Sequence, residues 1–364
     1  SMADYAATWQ TNNVTVAANG SEKIGGIAED ATLSTEGQSV TLVYIDSTQG
    51  WINTMDSTSN VRGTIPFMSA SVSGACNTLA TAPDCANTKI ATFLGPGTFC
   101  VSAAATCVTK NVVSYMVVGG GGASQTGGAP AGGAGAGGFR EYKSPVTPYT
   151  ASPLDGNPGG TSITVSATGY PITVGAGGTP NATQACANGA NSVFSTVTAA
   201  GGGAANGSMD YAAQPGGSGG GSGGVDTGGV TSAGGNGNDP STSPAQGFPG
   251  GSQTSGPNTS NTRGGGGGGA TVAGTNGPGG GNGGAGATTS ISATPTIYAG
   301  GGGGGSENFT AGSGGPGGGG AGGEYPSCSA AANGAINTGG GSGQGYTARK
   351  NGGSGIVIIR YKFQ

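Results

Sequence analysis

Residues 276–286 read NGPGGGNGGAG, and with Gly274 just upstream they put glycine at 274, 277, 280, 283 and 286. A spacing of three is the period of polyproline II, which rises ~3.1 Å per residue and makes no hydrogen bonds within itself. Glycine at every third position gives such a helix one bare edge, so that neighbours can approach and bond sideways, N–H to C=O. The spacing recurs at Gly132, Gly135 and Gly138, at Gly217, Gly220 and Gly223, and at Gly314, Gly317, Gly320 and Gly323. Six consecutive glycines at 264–269 and at 300–305 suit helices that need more than one bare edge. Each run is short and is followed by polar, proline-containing or aromatic residues that read as turns. The expectation is a set of short rods folded back and forth. Collagen requires an unbroken Gly-X-Y phase, whereas here the phase resets at every interruption.

A conventional core is excluded over much of this region. Between Gly201 and Ser290 the large apolar residues are Met209, Tyr211, Val225, Val230, Phe248 and Val272. At ~25 cal/mol per Å² buried, six side chains cannot offset the ordering of some ninety residues at ~1–2 kcal/mol each. A flexible linker would not need strands closing both of its ends. Here VVSYMVV (112–118) precedes the glycines and GIVIIRYKF (355–363) follows them. These two are expected side by side in a small sheet at the base.

The fold class expected is mainly β and polyglycine II, with almost no α-helix: small N-terminal β modules, then a sandwich of packed glycine rods closed by a small sheet. Residues 1–62 read as a β module for attachment or oligomerisation, with SVTLVYID (39–46) and WINTMD (51–56) around the turn STQG. Residues 63–118 read as a β-rich neck, in which KIATFLGPGTFCV (89–101) has the pattern of a hairpin around Gly95-Pro96-Gly97. Residues 119–364 form the glycine-rich domain, with basal strands near 139–178 and 355–363.

The composition removes several function classes. The chain has no histidine among its 364 residues, so the commonest general base and metal ligand are missing. Net charge is −4, and Arg263 is the only basic residue from Ser144 to Ala348, so phosphate-led nucleic-acid binding is not expected. No G-x-x-x-x-G-K-[ST] phosphate loop is present. No apolar run reaches the ~20 residues of a membrane helix, and the start SMADYAATWQ lacks the pattern of a signal peptide. No enzyme activity, cofactor or metal is expected. The six cysteines are Cys76, Cys85, Cys100, Cys107, Cys186 and Cys328. They read as disulfide candidates, with Cys76–Cys85 and Cys100–Cys107 as local staples. Cys186 and Cys328 are either one bridge between distant rods or two separate thiols.

In order, KIATFLGPGTFCV, VVSYMVVGGGG, GGAGAGGFREY, YPITVGAGG with NGANSVF, AAGGGAANG and GGSGIVIIRY resemble the glycine-rich domain of tail-fibre and other virion proteins of tailed bacteriophages. LSTEGQSVTLVYIDSTQGWI (33–52) resembles a β module that recurs in phage fibre proteins. The resemblance implies a virion fibre or adhesin, in which loops displayed on a rigid polyglycine II sandwich recognise a bacterial surface receptor, either a glycan or an outer-membrane protein. It also implies other fibre proteins as partners and a homotrimer formed through the N-terminal region. The alternatives are a purely structural virion protein without receptor contact and, from the use of similar bundles in antifreeze proteins, an ice-binding protein.

The contact residues expected lie between the rods: Met209, Asp210 and Tyr211; Phe248; Ile297 and Tyr298; Asn308 and Phe309, with Glu307; and Tyr325, with Glu324. Aromatic rings with polar handles suit sugars and protein loops. The same residues would equally serve to cap the rod ends. The long segment Asn238–Arg263 is the expected specificity loop, and turns at alternate rod ends place only about half of these residues toward one partner.

Overall fold

In the computed structural model the residues described are all except 57–66, 126–130, 181–185, 206–212, 224–231, 254–262, 277–278, 328–330 and 346–348. The chain divides into two units, Ser1–Pro66 and Phe67–Gln364. The regular secondary structure of the described residues is almost all β, in several small sheets, with no closed barrel and one short 3-10 turn at Val108–Asn111.

The first unit is built around the strands Ser39–Asp46 and Gly50–Asp56, with Met2–Ala3 on the far side of Ser39–Asp46. A second pair, Val14–Val16 with Ala31–Leu33, accompanies it. The Asp4 carboxylate accepts hydrogen bonds from the amides of Thr8, Trp9 and Gly37, tying the first loop to the sheet.

In the second unit, Val112–Val118 and Ile356–Lys362 pair antiparallel, with Val118 opposite Ile356 and Ser114 opposite Arg360. Both are nearly continuous apolar runs because both faces of this sheet are covered. Side chains alternate along a strand. Val113, Tyr115, Val117, Val357, Ile359 and Tyr361 therefore enter one core, and Met116, Val118, Ile356 and Ile358 enter another. The sheet runs Phe139–Tyr142, Val112–Val118, Ile356–Lys362, Cys85–Phe93, Thr78–Ala82, and Ile163–Thr164 adds to Val112–Val113. A second sheet runs Val197–Ala199, Ser192–Phe194, Gly169–Thr173, Gly97–Ala103, Ser69–Val72. Phe93, Phe99, Tyr115, Phe194 and Tyr361 share a single core cluster, to which strands of both sheets contribute.

KIATFLGPGTFCV is not a hairpin. Cys85–Phe93 and Gly97–Ala103 belong to different sheets and do not pair with each other. The Gly-Pro-Gly segment is a corner between the sheets. Asn77 supplies the hydrogen bonds that a hairpin would have made: its Oδ1 accepts from the amides of Leu94 and Gly95, and its Nδ2 donates to the carbonyls of Ser73 and Pro96.

Beyond Val118 the backbone bonding changes character. Gly119 and Gly122 donate to Gly138 and Gly135; Gly120 and Ala123 donate to Ala190 and Ala187; Gly121 and Ser124 donate to Gly353 and Lys350. Every third amide thus addresses the same neighbour, and three neighbours are addressed in turn. The segment 133–138 repeats the scheme toward 265 and 268, 342 and 339, and 203 and 200. So does 264–269, toward 305 and 302, 222 and 219, and 275 and 272. A strand ladder alternates with a period of two; this lattice has a period of three.

The glycines face a second set of neighbours. A Cβ built at Gly119, Gly120 or Gly121 would collide with the carbonyl of Ala200, Ala176 or Gly340, respectively. Three consecutive residues thus abut three different backbones. These residues are buried with almost no side chain among them.

Candidate functional site

The rods have a fixed polarity relative to the sheets. The run 299–305 starts at Ala299, in the core cluster with Met116, Ile356 and Ile358, and ends at Ser306. The run 264–269 starts at Arg263, which bridges to Ser306, and ends at Ala270 in that same cluster. Arg263 and Ser306 therefore mark the end of the rods remote from the sheets.

At this remote end the strand Ser306–Glu307 pairs in parallel with Glu324–Tyr325. Asn308, at φ 60°, donates its amide to the Tyr325 carbonyl at 2.8 Å, and the Ser306 hydroxyl donates to the Phe309 carbonyl. Glu324 accepts from the Ala311 amide at 3.1 Å and the Ser327 hydroxyl at 3.0 Å. The Arg263 guanidinium lies 4.0 Å from the centre of the Phe309 ring. Such stacking at an exposed site contributes about 0.5–1 kcal/mol and holds both groups in place. Phe309 is 39 % exposed and Tyr325 40 %. Asn308, Phe309 and Tyr325 are thus brought together, with Arg263, the last residue of the expected specificity loop but not singled out there as a contact residue, as a fourth member. The signal available for it was its isolation as a cation within 200 residues of glycine-rich chain.

The other expected contact residues lie elsewhere. Ile297 and Tyr298 belong to the hairpin of Ala287–Thr289 with Thr296–Tyr298, at the sheet end. Tyr298 is only 6 % exposed and packs in the sheet-end core, where burial pushes its hydroxyl pKa up. Ile297 is partly exposed. Phe248 is also at the sheet end, its amide bonded to the Gly269 carbonyl and its carbonyl accepting from Gly219. Met209, Asp210 and Tyr211 lie outside the described residues.

The segment Asn238–Arg263 is not a single loop. Asn238 and Gln246 fold over the sheet end, where the Asn238 Oδ1 accepts from the amides of Thr242 and Gln246. The following stretch is a rod in which Gly250 and Gly251 donate to Gly235 and Gly266. Residues 254–262 lie outside the described residues.

No disulfide is formed among Cys76, Cys85, Cys100, Cys107 and Cys186, all of which are free thiols. The pairing Cys76–Cys85 fails on geometry. Thr78–Ala82 lies between them, with Cys85 opposite Ala82 and Cys76 beyond Thr78. Four residues of strand, at ~3.3 Å each, exceed the ~7 Å limit between bridged Cα atoms. Cys100 sits in a strand between Ser71 and Gly169, while the Cys107 thiol contacts the Thr109 hydroxyl at 3.2 Å. Burial pushes the Cys186 thiol up to about 12. Cys328 lies outside the described residues.

Asparagine has a role that the glycine pattern hid. On one open flank of the run 200–205, Asn191 Oδ1 accepts from the Gly201 amide at 2.9 Å and Asn188 Oδ1 from Ala204 at 2.8 Å. Asn282 Oδ1 and Asn333 Oδ1 do the same for Ser313 and Asn351. Side-chain amides replace the missing neighbour at the edge of the lattice. Asn188 and Asn191 are three apart, matching the period of the rod they seal.

Residues 94–362 match a family model described as a glycine-rich domain. The chain belongs to this glycine-rich domain family. The matched span begins at the corner between the two sheets, so the strands Ser69–Val72, Thr78–Ala82 and Cys85–Phe93 complete the domain's sheets from outside the match. No curated protein matches the chain. Among the described residues, no group of three acidic or cysteine side chains is placed to hold a metal, and no helix is long and apolar enough to cross a membrane.

Proposed function

We propose that this chain is a bacteriophage virion fibre or adhesin protein and that its glycine-rich domain recognises a bacterial surface receptor. In this reading the rods are polyglycine II helices, acting as a stiff platform. The remote end of the platform makes the contact through Arg263, Asn308, Phe309 and Tyr325, with Met209, Asp210 and Tyr211 as further candidates. One observation carries the reading: exposed aromatic residues and a stacked arginine gather at the rod end opposite the sheets, on a framework otherwise nearly free of side chains. Aromatic and arginine side chains dominate binding hot spots. The receptor is a glycan or an outer-membrane protein, and other fibre proteins are partners. No catalysis or cofactor is involved. Exposed Val43, Ile45 and Ile27 of the first unit favour self-association there, for which a homotrimer is the proposed form.

The test is adsorption of the fluorescently labelled full chain to a panel of bacterial strains. Binding to some strains is expected, reduced at least tenfold (about 1.4 kcal/mol) in the triple variant Arg263→Ala, Phe309→Ala, Tyr325→Ala. The sheet-end variant Ile297→Ala should bind as the parent does. Absence of adsorption to every strain would leave a structural virion protein as the better reading. Equal loss in both variants would remove the remote end from the contact.

A further inference from the structure

The first unit contains a cavity of about 370 Å³ that lies outside the reading above; Met2, Val16, Asn19, Glu22, Leu42 and Trp51 are among its lining residues. This is near the lower end of the volume range of small-molecule sites, ~300–1,000 Å³. Trp51 is 37 % exposed, which is unusual use of the largest apolar side chain in a unit with so small a core. It is nevertheless held firmly. Its amide donates to the Lys23 carbonyl at 2.7 Å, its carbonyl accepts from Gly25 at 2.8 Å, and its indole Nε1 donates to Glu22 Oε2 at 2.9 Å. Tyr44 meets the indole edge-on, with ring centres 5.6 Å apart. Gly50 permits the close approach of the Lys23 segment: its φ is +69°, and a Cβ there would collide with the Lys23 carbonyl.

A tryptophan whose backbone is fixed by two hydrogen bonds and whose indole is oriented by Glu22 and Tyr44, yet left partly uncovered, is a preorganised platform, because little further ordering is needed to bind against it. The lining joins this apolar ring to one carboxylate, Glu22, and one amide, Asn19. That combination fits a ligand with an apolar face and polar edges. A pyranose has both: its C–H face lies against an aromatic ring while its hydroxyls donate to a carboxylate and bond with an amide. We propose that this cavity binds one or two sugar rings, with Trp51 as the stacking platform and Glu22 and Asn19 as hydroxyl partners. It is a glycan subsite separate from the remote end of the rods and independent of the function proposed above. Glu22 serves twice, since one oxygen orients the indole and the carboxylate also borders the cavity.

Saturation-transfer NMR on the full chain tests this directly, with the methyl glycosides of glucose, galactose, mannose and N-acetylglucosamine as probes. At least one should show saturable transfer with a Kd of about 0.1–10 mM. Trp51→Ala should abolish the signal. Glu22→Gln, which retains an acceptor for the indole, and Asn19→Ala should each weaken binding at least threefold. The sheet-end variant Ile297→Ala should leave the signal unchanged. No transfer to any probe overturns the inference, as does transfer that survives all three first-unit variants. Either result can coexist with cell adsorption through the rods, so the two readings fail separately.

Discussion

Arg360 has no exposed surface, although it lies in IVIIRYK, where a basic residue reads as solvent-facing. Its Nη1 and Nη2 donate to the two oxygens of Asp84 at 3.0 and 2.9 Å. Removing one member of a buried pair strands the other charge, whereas replacing both removes the desolvation cost as well. Asp84 is a third exposed, which screens its share. Asp84→Asn should therefore lower stability by about 2–3 kcal/mol, and the double variant Asp84→Asn, Arg360→Met should recover part of that loss. Denaturant titration of the four proteins of the cycle measures both. Glu141 gives a pH signature. It is buried, accepts from the Ser152 amide and the Thr289 hydroxyl, and burial raises its pKa. The folded protein therefore holds this proton more tightly than the unfolded chain does. The stability it contributes is complete below the ordinary glutamate range and is lost as pH rises through the raised value. Tm should fall from pH 4.5 toward neutrality in the parent, and Glu141→Gln should flatten that part of the profile; an unchanged slope in the variant would reject the assignment.

At the scale of elements, the rods depend on the absence of side chains. A Cβ at Gly267 would meet the Ala134 carbonyl, while at Gly159 it would meet nothing within 4 Å. Replacing glycine with alanine restricts the unfolded chain, a gain of about 0.4–1 kcal/mol where the backbone allows it. Overpacking costs about 1–3 kcal/mol or more. The clash outweighs the gain at Gly267, so Gly267→Ala should destabilise by at least about 1 kcal/mol, and Gly159→Ala should be neutral or slightly stabilising. Edges follow hydrogen-bond logic instead. Asn191→Ala strands the Gly201 amide and should cost about 1–3 kcal/mol, whereas Asn191→Asp retains an acceptor and should cost less. Thermal unfolding of these four variants ranks them. The period-three lattice and the two strands that bracket it were legible because both patterns are regular: glycine at a period of three, and apolar runs at 112–118 and 356–362. The corner at Gly95–Gly97 was not, since glycine and proline punctuate a sheet-to-sheet crossing just as they do a hairpin. Asn188 and Asn191 were hidden because asparagine beside glycine reads as a turn. Tyr298 looked like a display residue because its burial depends on Met116 and Ile358, which are distant in sequence.

For the molecule as a whole, the question is how a region without oil-like packing stays folded. Each rod hydrogen bond contributes a net ~0.5–1.5 kcal/mol, against ~1–2 kcal/mol of backbone entropy per residue. Taken singly, the bonds do not offset the ordering. Close backbone packing adds dispersion and weak Cα–H contacts, but only when all the neighbours of a rod are present. Gly119–Ser124 needs 135–138, 187–190 and 350–353 at once. The rods should therefore lack intermediate stability: they form together with the sheets or not at all. The first unit has its own sheets and a much smaller core, and by its contacts is a separate unit. Calorimetry should thus show two transitions. The smaller, from the 66 residues of the first unit, should have an enthalpy of about 45 kcal/mol at ~0.7 kcal/mol per residue near 60 °C. Amide exchange supplies the sharper result. Amides of 119–124 and 133–138 should exchange as slowly as those of Val112–Val118, and all should be released in the same transition. Fast exchange in the rods with a protected sheet would mean that the glycine lattice is not a folded element, and the receptor-display role proposed for it would fall with it.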